Sequence, residues 1–137
     1  MAANIHLEVV TPEKIVVSEE AQIVASPGSM GEFGVLSGHT PFLTTLKTGM
    51  IRYTDASGKE NYVFVSGGFA EALPGKVTVL AESAEISNDI DVKRAKEAFE
   101  RAEKRLAEDR AQEDIDFARA RAALERATVR IRVAGIS

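Results

Sequence analysis

The sequence predicts an α+β chain: an N-terminal β-sandwich or flattened barrel of about ten short strands, followed by a C-terminal antiparallel two-helix hairpin. Three observations carry that expectation. Short β-branched and aromatic runs, separated by glycine and proline turns, fill the first part of the chain. From about Val92 there is no glycine or proline until Gly135, and alanine, glutamate and arginine dominate. The charge also divides there. Residues 1–90 hold five Lys/Arg against 11 Asp/Glu, net −6, and residues 91–137 hold 12 against 10, net +2, which together make the −4 of the whole. At 137 residues this is one ordinary domain or a small domain with an appendage, and the expected division is 1–87 and 88–137.

The strands follow in order. "IHLEV" at Ile5–Val9 alternates apolar and polar, the period of a half-buried strand, and places His6 toward solvent. "KIVV", "QIVA", "MIRYT", "YVFVS" and "VTVLA" are read as further separate strands, divided by "TPE", "SPGS", "DASG", "SGG" and "LPGK". Gly58 suits a turn position of positive φ, and Pro74-Gly75 reads as a type II pair. A core drawn from fewer than 90 residues is modest but sufficient.

The helices show a different period. Val92, Ala95, Phe99, Ala102 and Leu106 step by 3, 4, 3, 4, and Phe117, Ala120, Leu124, Ala127 and Ile131 repeat the pattern 25 residues later. The polar run "AEDRAQED" between them is too short for another element, so the helices are expected to fold back on each other. Alanine at alternate seam positions lets them approach closely but buries little area, so the hairpin should be weakly held. Each stripe is introduced by a similar phrase, "DIDVKRA" at Asp89–Ala95 and "DIDFARA" at Asp114–Ala120. An aspartate at a helix start accepts hydrogen bonds from free N–H groups and suits the dipole, so capping accounts for both copies.

Composition narrows the function. There is no cysteine, which excludes disulfides, thiolate metal sites and cysteine nucleophiles. Net acidity argues against a general nucleic-acid binder. The N-terminus lacks a basic-then-apolar leader and no apolar run approaches a membrane span, so a soluble intracellular protein is expected. No phosphate loop or nucleophile elbow is present, and only His6 and His39 could serve as imidazoles; catalysis by this chain is not expected. Arg101 and Arg105 each fall within about 20° of Arg94 on a helix surface, and Arg119, Arg126 and Arg130 repeat the spacing. Such a row is either a solvated flank balanced by acids such as Glu97, or an anion site, since guanidinium binds phosphate and keeps its charge.

"GEFGVLSGHTPFLTTLKTGMIR" at Gly31–Arg52, "VSGGFAEALPGKVTVLAESAE" at Val65–Glu85 and "DIDVKRAKEAFERAEKRL" at Asp89–Leu106 resemble the ε subunit of the bacterial F-type ATP synthase, over essentially the whole chain. The resemblance implies a non-catalytic subunit of the central stalk, peripheral at the cytoplasmic face of the bacterial membrane. Its sandwich would meet the γ subunit and the ring of c subunits, and the loop holding Glu32 and His39 would be the rotor-facing surface. Its hairpin would either fold against the sandwich or extend toward the α and β subunits and inhibit ATP hydrolysis. Arg121, Arg126 and Arg130 would then meet acidic surfaces of the catalytic head. The resemblance further implies a regulatory ATP site of Glu85, Ile90, Asp91, Arg94, Ala95, Arg101, Arg126 and Arg130. Only the first "DID" copy has the preceding Glu85, so only that copy is expected to bind. No cofactor is obligatory, and no carboxylate cluster demands Mg²⁺ beside the nucleotide. The rival expectation is a free-standing ATP-sensing protein of the same build with no rotor partner, which co-purification with γ separates. A carboxylate hydrolase, a third reading, requires turnover by the isolated chain.

Overall fold

Alternating burial along the first strand shows how the core is assembled. The computed structural model describes residues 3–108 and 114–136, with side-chain detail for 3–108 and 117–136. In β1 (Ile5–Val10) the side chains of Ile5, Leu7 and Val9 are fully buried, whereas His6, Glu8 and Val10 are partly exposed. Successive strand residues point to opposite faces, so one face of β1 builds the core. Eight further strands follow: β2 (Ile15–Gly28), β3 (Gly31–Leu36), β4 (Phe42–Thr45), β5 (Gly49–Asp55), β6 (Glu60–Ser66), β7 (Phe69–Leu73), β8 (Lys76–Leu80) and β9 (Ser83–Ile86). Their order is β4-β7-β8-β1-β2-β5-β6-β9, with β3 paired to β2. Among the described residues the β1–β8 pairing is the one parallel pairing, and the other strand pairings are antiparallel.

The expected strands "KIVV" and "QIVA" are one 14-residue strand, β2. No glycine or proline interrupts the intervening "SEEA", and a register shift between Ala21 and Ile23 lets the strand change partners instead. Its first half pairs with β1 and its second half with β5 and β3. A strand that serves two sets of neighbours folds the sheet over itself, and Val24, Val35, Ile51, Val63, Val65, Val77 and Val79 close the interior at full burial.

Two turns repay comparison with the sequence. Gly58 has φ 90°, as its place in "DASG" requires. Pro74-Gly75 joins β7 to β8, but Gly75 is absent from the positive-φ glycines, so the pair is not a type II turn. Its carbonyls are engaged instead: Pro74 O accepts from Gly38 N at 2.7 Å and Gly75 O from His6 N at 3.0 Å.

A 3-10 turn at Ser87–Asp89 leads into α1 (Val92–Glu108), and α2 (Asp114–Ala134) returns. The seam alanines Ala95, Ala102, Ala120 and Ala127 are all at most 5% exposed. The large residues between them flank the seam: Phe99, Leu106, Leu124 and Ile131 are half-buried, and Val92 and Phe117 exposed. Two helices in close approach cannot cover a whole stripe of large side chains. The hairpin lies on the sandwich mainly through α2, which packs on β5 and β6. Val129 and Val133 carry that contact, and they sit off the seam: Val129 lies about 200° around the helix from Ala127 at 100° per residue. Thus α2 is apolar on two sides.

Candidate functional site at the helix–sandwich junction

The run "YVFV" in β6 is apolar on both faces of a strand, the pattern of a strand covered from both sides. Val63 and Val65 enter the sandwich core, while Phe64 faces the other way, fully buried against Ile90, Val129 and Val133. Met50, Tyr62 and Ala134 border this second, smaller core. Strand pairing places Met50, Phe64 and Glu85 in one row across β5, β6 and β9, since Met50 pairs with Phe64 and Phe64 with Glu85. Directly opposed residues on one sheet face have Cβ atoms about 5 Å apart, so Phe64 and Glu85 present themselves side by side to α2.

Arg130 of α2 meets both. Its Nε donates to Glu85 Oε1 at 3.2 Å, and its guanidinium carbon lies 4.3 Å from the centroid of the Phe64 ring. Cation–π contact and a partly buried ion pair therefore act at one side chain, the first worth about 0.5–2 kcal/mol and the second about 1 kcal/mol or less at such a site. The pair is 24% and 35% exposed at Arg130 and Glu85, so solvent still screens it.

Of the eight residues named for an ATP site, the structure gathers Glu85, Ile90 and Arg130 at this junction. Asp91 is exposed and caps α1: its Oδ1 accepts from Arg94 N at 3.0 Å, and its carbonyl accepts from Ala95 N at 3.0 Å. Ala95 is in the helix seam, where its side chain meets α2 rather than open space. Arg94 and Arg101 are exposed on α1, and Arg126 is half-buried one turn before Arg130. The side chains of Arg94, Arg101 and Arg126 make no hydrogen bond or ion pair with the other five among the described residues; Asp91 reaches Arg94 only at its backbone N–H. The side chains of Asp114 and Asp116, the second "DID" copy, lie outside the described residues. Phe64 was missed by sequence reasoning; the doubly apolar "YVFV" is the signal that could have found it.

The stretch expected as a rotor-facing loop is not all loop. Glu32 stands in β3, opposite Pro27 of β2, and only His39 falls in the segment that follows. Gly31 (φ 131°) and Gly38 (φ 83°) supply the turns at the two ends, and the six-residue strand begins at Gly31 itself. That strand was hidden because Gly34 breaks its alternation of side chains. Glu32 Oε1 accepts from Arg52 of β5 at 2.9 Å. His39 Nδ1 lies 2.6 Å from Thr40 O, to which it donates, and its backbone N–H donates to Leu36 O at 3.1 Å.

A large open cleft of about 1270 Å³ separates the outer half of the hairpin from the sandwich, bordered by Glu32, Lys47, Met50, Phe117, Arg121 and Arg132 among others. None of the eight named nucleotide residues lines it. Among the described residues no cluster of His, Asp and Glu is disposed to hold a metal, and no helix is long and apolar enough to cross a membrane.

Comparison with known proteins covers nearly the whole chain. Residues 4–87 match the family description "ATP synthase, Delta/Epsilon chain, beta-sandwich domain", and residues 88–135 match "ATP synthase, Delta/Epsilon chain, long alpha-helix domain". The chain is 68% identical over 108 residues to the ATP synthase epsilon chain of Desulforapulum autotrophicum, covering 79% of this chain and 80% of the relative. It is 66% identical over 106 residues to that of Desulfatibacillum aliphaticivorans, covering 77% and 75%. A chain in the cryo-EM structure of the Euglena gracilis mitochondrial ATP synthase (OSCP/F1/c-ring, rotational state 1) superposes with a TM-score of 0.80 at 24% identity, over 100% of this chain and 84% of that one. At that identity the superposition speaks to the fold.

Proposed function

The chain belongs to the ATP synthase delta/epsilon chain family, and from that premise we propose that it is a non-catalytic regulator in the central stalk of a bacterial ATP synthase. Its sandwich joins the γ subunit to the c ring at the cytoplasmic face of the membrane, with Glu32 and His39 on the rotor side. Its hairpin alternates between the docked form and an extended form that reaches the α and β subunits and restrains ATP hydrolysis.

The observation that carries this reading is the small, self-contained contact holding the hairpin down. Val129 and Val133 are its buried anchors from α2, and Arg130–Glu85 is its ion pair. Two buried valines contribute about 3–6 kcal/mol gross, and the ion pair adds about 1 kcal/mol or less. Ordering the hairpin against the sandwich offsets part of that, leaving a net of a few kcal/mol. A ligand at 100 times its dissociation constant contributes about 2.7 kcal/mol, enough to shift such a balance. The sandwich keeps its own core throughout, so release of the helices does not unfold it.

ATP is the regulatory ligand in this account. Arg94, Arg101, Arg126 and Arg130 supply charge for its phosphates, and Glu85, Ile90, Asp91 and Ala95 complete the site on the compact form. Because ATP binds the compact form, abundant ATP keeps the hairpin down and depletion releases it. The test is ATPase of the reconstituted complex with the full chain and with residues 88–137 removed, across ATP concentrations. Hydrolysis should rise on removal, most at low ATP; equal rates at every concentration defeat the proposal.

A further inference from the structure

We propose that Ser18 of β2 is a reactive nucleophile that takes acyl groups from activated donors, active esters and acyl phosphates, with His6 of β1 as its general base and Glu20 as the positioning residue for that base. The site lies apart from the hairpin, which packs mainly on β5 and β6, and it does not rest on the nucleotide reading.

Strand register assembles the site. Ile5, Leu7 and Val9 fill the core, so His6 and Glu8 point to the opposite face of β1. His6 pairs with Glu20 and Glu8 with Ser18, and residues directly opposed across a pair share a face. The diagonal from His6 to Ser18 spans about 7–8 Å between Cβ atoms, a gap that an imidazole bridges. His6 Nδ1 lies 2.8 Å from Glu20 Oε2, and its Nε2 lies 3.3 Å from Ser18 Oγ. An ionised carboxylate can only accept, so in the neutral ring Nδ1 carries the proton and Nε2 is left to accept the Ser18 O–H. A hydroxyl on a base that is itself held by a third group is the arrangement that activates a serine. His39 lacks it: its Nδ1 donates to Thr40 O at 2.6 Å, and no hydroxyl meets its ring among the described residues.

The step balances within these groups. Ser18 Oγ bonds to the donor's carbonyl carbon, and its proton passes to His6 Nε2, where Glu20 stabilises the imidazolium. The bond from that carbon to the leaving oxygen breaks, the leaving group departs with the electron pair, and His6 returns the proton to it or to water. An acyl ester of Ser18 remains until water, activated by the same nitrogen, releases the acid and restores the hydroxyl. The surroundings set the substrate class. The His6 N–H is committed to Gly75 O at 3.0 Å, and strand amides lie in the plane of the sheet, so the backbone aims no oxyanion hole at this face. Lys76, the neighbour of His6 on β8, is held by Glu8 at 3.2 Å. Without a hole, only donors with a good leaving group react, and ordinary esters and amides should not. General-base assistance contributes about 10²–10⁴-fold, and a pair as exposed as His6 and Glu20 belongs at the lower end.

The test incubates the full chain with p-nitrophenyl acetate, follows nitrophenol release and maps the acetyl group by peptide mass. Acetyl should appear on Ser18 as a hydroxylamine-labile ester, and Ser18→Ala should abolish that label. His6→Gln should slow the labelling about 10²-fold. Glu20→Gln should slow it roughly tenfold, since the imidazole stays but its charged form loses the carboxylate. All three side chains lie on the outer face, so each variant should melt close to the wild type. Carbethoxylation of His6 by diethyl pyrocarbonate gives the same comparison without a substitution, and it should suppress the Ser18 label in the wild type. Acetyl confined to Lys76, other lysines or the N-terminus overturns the inference. Labelling of Ser18 at the wild-type rate in His6→Gln, or after carbethoxylation, also overturns it. A wild-type rate in Glu20→Gln does so too, because the contact is then a surface ion pair and nothing more.

Discussion

Asp91 shows how one side chain can serve both structure and function. Its carboxylate caps α1, and substitution by alanine should destabilise the start of that helix by about 1 kcal/mol. Asp91→Ser keeps a capping oxygen but not the charge. If the residue also contacts ATP, Asp91→Ser should leave the melting temperature nearly unchanged while weakening ATP binding; loss of both together would make it a cap alone. Asp55 makes a different prediction, in pH. Hydrogen bonds from Ser57, Asn61 and Lys59 hold its carboxyl at about 2, below its ordinary 3.8. A group whose folded value is depressed stabilises the fold above its unfolded value and loses that contribution as pH falls through the folded one. Asp55→Asn should therefore flatten the acid limb of the stability curve between about pH 4 and 2, leaving neutral pH as the region of greatest difference. An unaltered acid limb would mean that the turn is equally satisfied when Asp55 is protonated.

At the scale of elements, α2 and β6 are the two that position everything else. Val133 is fully buried between them, and Val133→Ala should weaken docking by about 2 kcal/mol, two methyl-sized groups plus a cavity term. Hydrogen exchange should then speed up across α2 while β1 and β8 stay protected; uniform acceleration would show that hairpin and sandwich unfold as one unit. The α1–α2 seam answers to shape. Ala102→Leu places three extra carbons at a closely packed position and should separate the helices at a cost of about 1–3 kcal/mol, seen as lost protection in α1. Much of this was legible in the sequence. The seam alanines are where the 3–4 spacing puts them, and the strand runs from Ile5 to Ala81 lie within or across β1, β2, β5, β6 and β8. The docking face was not legible, because Val129 and Val133 are off the seam and a heptad reading assigns one apolar side per helix. β3, β4, β7 and β9 escaped individual notice because their alternation is weak: Gly34 interrupts β3, β9 has only four residues, and β4 and β7 expose large apolar side chains (Phe42, Leu43, Phe69 and Leu73) while β7 buries only alanines.

For the whole molecule, the arrangement is a rigid sandwich with its own core carrying a hairpin fixed by a second, much smaller one. The residues proposed for the nucleotide site divide between the small junction core, the helix seam and the helix surface, and sequence spacing could align the arginines on a helix but not bring Glu85 to Arg130, 45 residues away. Only folding makes that pair. The measurement that bears most directly on the account is ATP hydrolysis by the assembled complex carrying Val133→Asp. An unpaired charge at that buried position expels α2 at a cost of several kcal/mol without entering the sandwich core. With release of the hairpin verified by hydrogen exchange, hydrolysis should fall below that of the wild-type complex, and added ATP should restore it poorly. A released hairpin with wild-type hydrolysis would contradict the account and leave the helices with no part in regulation.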